Sequence, residues 1–217
     1  MSSTRLLFVR HGAAEAADRG VIAGVKGCTG LSDLGRRQAE ALRDRLAATP
    51  IDVDVVRTSL LPRAIETAEI IAPTLGAHLE PAAQDCDLCE LHPGECDGMT
   101  WKEWRATYGF DPSSELDRQM SPGGESVIGF ARRVIGAVEA LVAEHAGRSI
   151  ALVVHGGVIS AAMLHLMGVD EEAVRRGRPF WFDPANTSLT QWHRDDRTGH
   201  WTLDRYNDAA HLEGLTA

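Results

Sequence analysis

No stretch of this sequence is apolar for long enough to cross a membrane. The run nearest the N-terminus, Leu6 to Val9, is also too short for a signal-peptide core, so the expected location is the cytoplasm. Positive charge is scarce: 22 Lys and Arg stand against 31 Asp and Glu, a formal net charge of −9. General binders of nucleic acid or of anionic membranes show the opposite balance, so neither is expected as a partner. Cysteine is sparse too, with 4 in 217 residues, which is not the density of a disulfide-built secreted scaffold. Internal repeats and low-complexity tracts are lacking, and nothing in the sequence marks an oligomeric state.

What is present is a chain that is 44% hydrophobic, enough for a substantial core and expected as one domain over residues 1–217 with an insertion at about 83–124. Its first informative stretch is "LLFVRHGAAE". A run fit for burial stops at Arg10 and His11, and a buried cation without a partner is costly. An anion from outside the sequence, a substrate phosphate, answers that cost.

Apolar spacing places the other elements. "LSDLGRRQAEALRDRLAA" reads as a helix with Ser32 or Asp33 as N-cap. "VDVVRTS" reads as a buried strand, and "PRAIETAEIIAPTLG" as a helix opened by Pro62 and stopped near Gly76. A short helix is expected near Thr100 to Tyr108, and a long amphipathic one in "SVIGFARRVIGAVEALVAEHAG". "SIALVVHGG" is a strand running into the helix "VISAAMLHLMG". "TSLTQWHR" and "HWTLDRY" are expected to pair antiparallel through "DDRTG". Strands alternating with helices imply an α/β three-layer sandwich, a mainly parallel central sheet with helices on both faces.

Ligands of such sheets collect beyond the carboxyl ends of the strands. Three strand ends here carry candidate chemistry: Arg10-His11-Gly12, the turn from Arg57 to Arg63, and His155-Gly156-Gly157. Two guanidiniums and two imidazoles at one point suit a dianionic tetrahedral group. The helix starting after His155-Gly156-Gly157 would aim free backbone N–H groups at the same place, with Gly156 counted among the phosphate-binding residues. A neutral imidazole there can attack phosphorus while the cations stabilise the equatorial oxygens. Of the nine histidines, His78, His145, His165, His193, His200 and His211 are expected to be ordinary packing or surface residues.

"VRHG", "SLLPRAIETA" and "VVHGG", with "LSDLGRRQA", "CELHPGECDG" and "PGGES" in order from about Leu6 to Thr190, resemble the histidine phosphatase superfamily in its phosphoglycerate-mutase-like branch. The resemblance implies that fold, with a short insertion over the active site. It also implies metal-independent, cofactor-free hydrolysis of a small phosphorylated metabolite. Residue by residue, it makes His11 the nucleophile that becomes phosphohistidine and places Arg10, Arg63 and His155 around the phosphate. Glu90 becomes the proton donor, because Glu90, Gly94 and Gly98 keep the family's E-x3-G-x3-G spacing. Glu95 and Asp97 are competing acids, expected to be solvated or to stand behind the site.

Three positions depart from the pattern. Ala14 and Ala17 replace the Thr or Ser and the Asn of R-H-G-x-[TS]-x-x-N. Cys96 stands where an aromatic is common. The loop "GVIAGVKGCTGLSD" differs from the family's usual form. These changes bear on the substrate more than on the chemistry. A phosphoglycerate mutase is the rival reading, but mutases are longer with a larger insertion, and the compact insertion with Ala14 and Ala17 favours a hydrolase. A non-catalytic binding protein is the third reading, and it is opposed by the presence of all five pocket residues.

Two further features invite weighing. Cys86, Cys89, His92 and Cys96 are four zinc-ligand types, yet C-x2-C-x2-H-x3-C is tighter than a split finger, so reduced thiols in a loop are expected. Trp101, Trp104, Tyr108 and Phe110, with Trp181 and Phe182, offer either a substrate wall or ordinary packing.

Overall fold

An apolar run without polar alternation needs cover on both faces, and Leu6, Leu7, Phe8 and Val9 have it, none being more than 1% exposed. They lie in β1 (Ser3–Arg10), a central strand. The computed structural model describes residues 3–75, 83–177 and 181–215. Along the chain follow α1 (Glu15–Asp18), α2 (Asp33–Ala48), β2 (Val55–Ser59), α3 (Pro62–Ile71), β3 (Gln84–Asp85), α4 (Trp101–Thr107) and α5 (Val127–Glu144). Then come β4 (Ser149–Val154), α6 (Gly156–Leu166), α7 (Glu171–Arg176), β5 (Leu189–Asp195) and β6 (Trp201–Asp208).

The six strands form one sheet in the order β3-β2-β4-β1-β5-β6. β1, β2, β3 and β4 are mutually parallel, whereas β5 runs antiparallel to both β1 and β6. Side-chain alternation sorts the core into two layers. Leu6, Phe8, Ile150, Leu152 and Val154 pack against α5 and α6 through Val134, Val138, Val158 and Ala162. Leu7, Val9, Ala151 and Val153 pack against α2 and α3 through Leu42, Leu46, Ala68 and Ile71. The three-layer sandwich with a mainly parallel sheet is therefore the observed fold.

Caps fix the helix starts. The Ser32 hydroxyl accepts from Gly35 N–H, and Ser126 does the same for Gly129. α6 begins at Gly156, two residues earlier than its apolar run implies, with His155 at its N-cap. α3 ends at Ile71 and passes into a 3-10 turn over Ala72–Thr74. Gly76, the expected stop, lies outside the described residues, as does His78. α7 escapes a periodicity reading because none of its residues is buried.

The stretch 83–124 has a small core of its own. Trp104 packs with Ile22, Cys96 and Met120, and its indole N–H donates to Met120 O at 2.8 Å. α4 opens on a capping box between Thr100 and Glu103. Among the described residues, no helix is long and apolar enough to cross a membrane.

Candidate active site

Sheet register brings the two histidines together. Arg10 pairs with Val154 at the carboxyl ends of β1 and β4, so His11 and His155 leave the sheet side by side. The His11 N–H donates to Val154 O at 2.9 Å, and the rings meet edge-on with centroids 5.0 Å apart. His11 Nδ1 lies 2.6 Å from Gly12 O, a carbonyl that can only accept, so Nδ1 carries the proton and Nε2 keeps its lone pair. That lone pair accepts from Arg63 Nε at 3.1 Å.

Pro62 opens α3 and places Arg63 in its first turn, where Nη1 donates to Ala23 O at 2.9 Å. One turn on, the Thr67 hydroxyl donates to Arg63 O and accepts from Gly12 N–H. The α2 start presses against the same loop: a Cβ on Gly35 would lie 2.0 Å from Ala13 O, so only glycine allows that approach. Arg10 bonds to Asp183 Oδ1 at 3.0 Å and to the Pro184 carbonyl. Its Nε, like His155 Nδ1, is buried and has no hydrogen-bond partner.

Glu90 lines the same cleft as Arg10, His11 and Arg63. Its carboxylate accepts from Leu91 N–H at 3.1 Å and from Gly157 N–H at 3.0 Å. The Gly157 amide, at the start of α6, therefore holds this carboxylate. Gly156 packs against the Arg10 guanidinium, 3.4 Å from where a Cβ would stand, and His155 sits fully buried beneath His11. Of the competing acids, Glu95 is exposed, and Asp97 accepts from the N–H groups of Gly24, Lys26 and Gly27. Asp97 shapes the cleft's outer loop and is not free to act as the acid.

A Cβ at residue 157 would lie 2.3 Å from Glu90 Oε1, so Gly157→Ala must push the carboxylate aside. Small misplacements of a reacting group cost up to about 10²-fold in rate. The expected result is a fall of that order in kcat on alkyl phosphates with the thermal melt little changed; unaltered kcat would remove Glu90 from the chemistry.

Burial, then the charges of Arg63 and Arg10, holds the His11 imidazole well below its ordinary value of 6.5. Burial and the charges of Arg63, His11 and Arg10 act the same way on His155. Both rings are neutral at pH 7, the state a nucleophile requires. A lowered folded value means that, as pH falls below about 6.5, the unfolded chain takes up protons that these rings refuse. Stability therefore declines on acidification through that window, while the acid limb of kcat/KM lies below 6.5. Urea midpoints measured between pH 7.5 and 5.5 check the first; a midpoint rising on acidification would contradict it.

Several residues that hold the site gave no sequence signal. Ser59, at the carboxyl end of β2, places its hydroxyl 2.7 Å from His155 Nε2 and 3.4 Å from Cys89 Sγ. Its position at a strand end was the available clue. Asn186 donates to His11 O, and the Thr187 N–H donates to Arg10 O at 2.9 Å. Thr187 has φ +56°, a left-handed conformation costly for a β-branched residue, held beside His11.

Trp101 lines the cleft, while Trp104, Tyr108 and Phe110 pack on one another. Trp181 lines a different cavity, and Phe182 packs on Tyr206. His145, His165, His193 and His211 bond to Arg57, Glu139, Asp204 and Thr187, and His200 is exposed, as expected of ordinary packing and surface residues.

A neutral imidazole beside two guanidiniums and a second imidazole, with a carboxylate on the same cleft, therefore stands at the carboxyl edge of the parallel strands. The model of the histidine phosphatase superfamily (branch 1) matches residues 6–209, and the chain belongs to that superfamily. It is a phosphomonoesterase, in line with the phosphatases among its relatives. It is 34% identical to the glucosyl-3-phosphoglycerate phosphatase of Mycolicibacterium vanbaalenii, over 98% of both chains. It is 31% identical to a metal-independent phosphoserine phosphatase of Arabidopsis thaliana, over 98% of this chain and 84% of that one. The structure of Bacillus stearothermophilus YhfR superposes with a TM-score of 0.80 at 26% identity, covering 96% of this chain and 99% of that one.

Proposed function

We propose that this phosphatase hydrolyses a small phosphorylated metabolite without a metal, through a phosphohistidine on His11, with Glu90 as proton donor and Arg10, Arg63, His155 and Gly156 around the phosphate. The observation that carries this reading is the unprotonated Nε2 of a buried, neutral His11, which meets the Arg63 Nε–H, with two unpartnered nitrogens, Arg10 Nε and His155 Nδ1, close by. A phosphoryl oxygen entering the cleft would take over the Arg63 donor and leave Nε2 free to attack.

The steps balance as follows. His11 Nε2 attacks phosphorus, the ester P–O bond breaks, and the leaving oxygen takes the Glu90 proton. Water then attacks phosphorus, the N–P bond breaks, and the Glu90 carboxylate accepts the water's proton. The cations carry the charge on the equatorial oxygens that Mg²⁺ carries elsewhere.

The cleft wall supports hydrolysis over the mutase alternative. Beyond Arg10, Arg63 and Glu90, its described lining holds no charged side chain, and Ala14, Ile22, Leu91, Trp101 and Met120 make much of the rest. A mutase must hold a second phosphate, and no further cation is there to meet it. The same wall favours a neutral, compact alcohol over a carboxylate-bearing one. Rapid quenching with labelled phosphomonoester should trap an acid-labile, base-stable phosphoenzyme; a turnover that never labels the protein rules the mechanism out. Turnover should also survive exhaustive chelation with EDTA, and its collapse there would show that a metal supplies the charge.

A further inference from the structure

Cys86, Cys89 and His92 stand together just behind the loop that carries Glu90. One donor atom from each lies within 4.8 Å of the others, and Cys86 Sγ is 3.6 Å from His92 Nε2. Sulfur and nitrogen on one tetrahedral zinc, with bonds of about 2.3 and 2.0–2.1 Å, are separated by roughly 3.5 Å. We infer that these three side chains form a binding site for a thiophilic divalent cation, zinc by preference, with the fourth position left to water.

The surroundings are built rather than incidental. Arg133 Nη1 donates to the carbonyls of Cys86, Asp87 and Cys89, fixing the turn that aims both sulfurs to one side. Glu125, gripped by Arg133 at 2.7 Å through two nitrogens, accepts from His92 N–H and places Oε2 3.7 Å from His92 Nδ1. The carboxylate thus faces the far nitrogen of the ring, the side from which a partner orients a metal-binding histidine. Cys96, the fourth residue of the sequence cluster, faces elsewhere, its thiol donating to Pro93 O at 3.1 Å. The set is therefore three ligands and not four.

The site lies outside the catalytic cleft but touches it twice. Cys89 and His92 bracket Glu90 in the chain, and Cys89 Sγ meets the hydroxyl of Ser59, whose oxygen bonds to His155. Metal here would fix the back of the Glu90 loop. It would stand apart from the phosphoryl group, because none of its three donors lines the cleft.

The test is metal binding itself, read without any substrate. The reduced, metal-stripped protein is titrated with Co²⁺ and followed by thiolate-to-cobalt absorption, then with Zn²⁺ against a chromophoric chelator. The expected result is one ion per chain, a cobalt–thiolate band displaced by zinc, and a higher melting temperature with zinc. Cys86→Ser and His92→Ala, both at solvent-accessible positions, should each abolish the band, whereas Cys96→Ser should keep it. Absence of saturable binding overturns the inference, as does loss of the band in Cys96→Ser or its retention in Cys86→Ser. Because phosphoenzyme trapping reads a different event, either proposal can fail alone.

Discussion

His11→Ala should reduce turnover to that of uncatalysed solution and leave no label on the protein after quenching with labelled substrate. The ring supplies the unprotonated nitrogen that meets Arg63 in the cleft. His155 cannot stand in, since it lies fully buried behind His11 with Nε2 engaged by Ser59. The substitution removes a large buried polar ring, so thermal stability is checked alongside. The burial that holds both rings neutral also predicts that the acid sensitivity of stability shrinks in this variant. Label that persists in His11→Ala would move the nucleophile to another side chain.

Glu90→Gln should slow alkyl phosphates by about 10²–10⁴-fold, the usual worth of a positioned general acid. An alkoxide is a poor leaving group and needs its proton in the transition state. A nitrophenolate does not, so phosphorylation by nitrophenyl phosphate should suffer little. If dephosphorylation needs Glu90 as base, a burst of nitrophenol should precede slow turnover. Gln keeps the acceptor oxygen for Gly157 N–H and so preserves the local fold, which confines the change to proton transfer. Equal losses on both substrate types would assign Glu90 to binding. Glu95 and Asp97 are poor replacements, one exposed and the other spent on three loop amides.

Residues whose role comes with a local pattern were legible: an apolar run that stops at Arg10-His11, a Pro that opens α3 before Arg63, a strand that ends on His155-Gly156-Gly157. Ser59, Asn186 and Thr187 carried no such pattern, because each acts on a residue 96, 175 or 177 positions away or nearly so, and only the sheet brings them near. That the Gly157 N–H donates to Glu90 was not legible either, because Glu90 arrives from an irregular loop whose path no periodicity encodes.

By itself, the sequence determined the alternation of strands and helices, and hence a parallel sheet buried on both faces. It also determined which side chains stand at that sheet's carboxyl ends. These follow from local physics, since hydrophobic period, caps and glycine placement act over a few residues. Tertiary structure decided the remainder: the tautomer of His11, the grip of Gly157 on Glu90, the dismissal of Asp97, and the turn of Cys96 away from Cys86, Cys89 and His92. Each of these depends on the distance and direction between atoms far apart in the chain, and those are set only when the packed layers close around them.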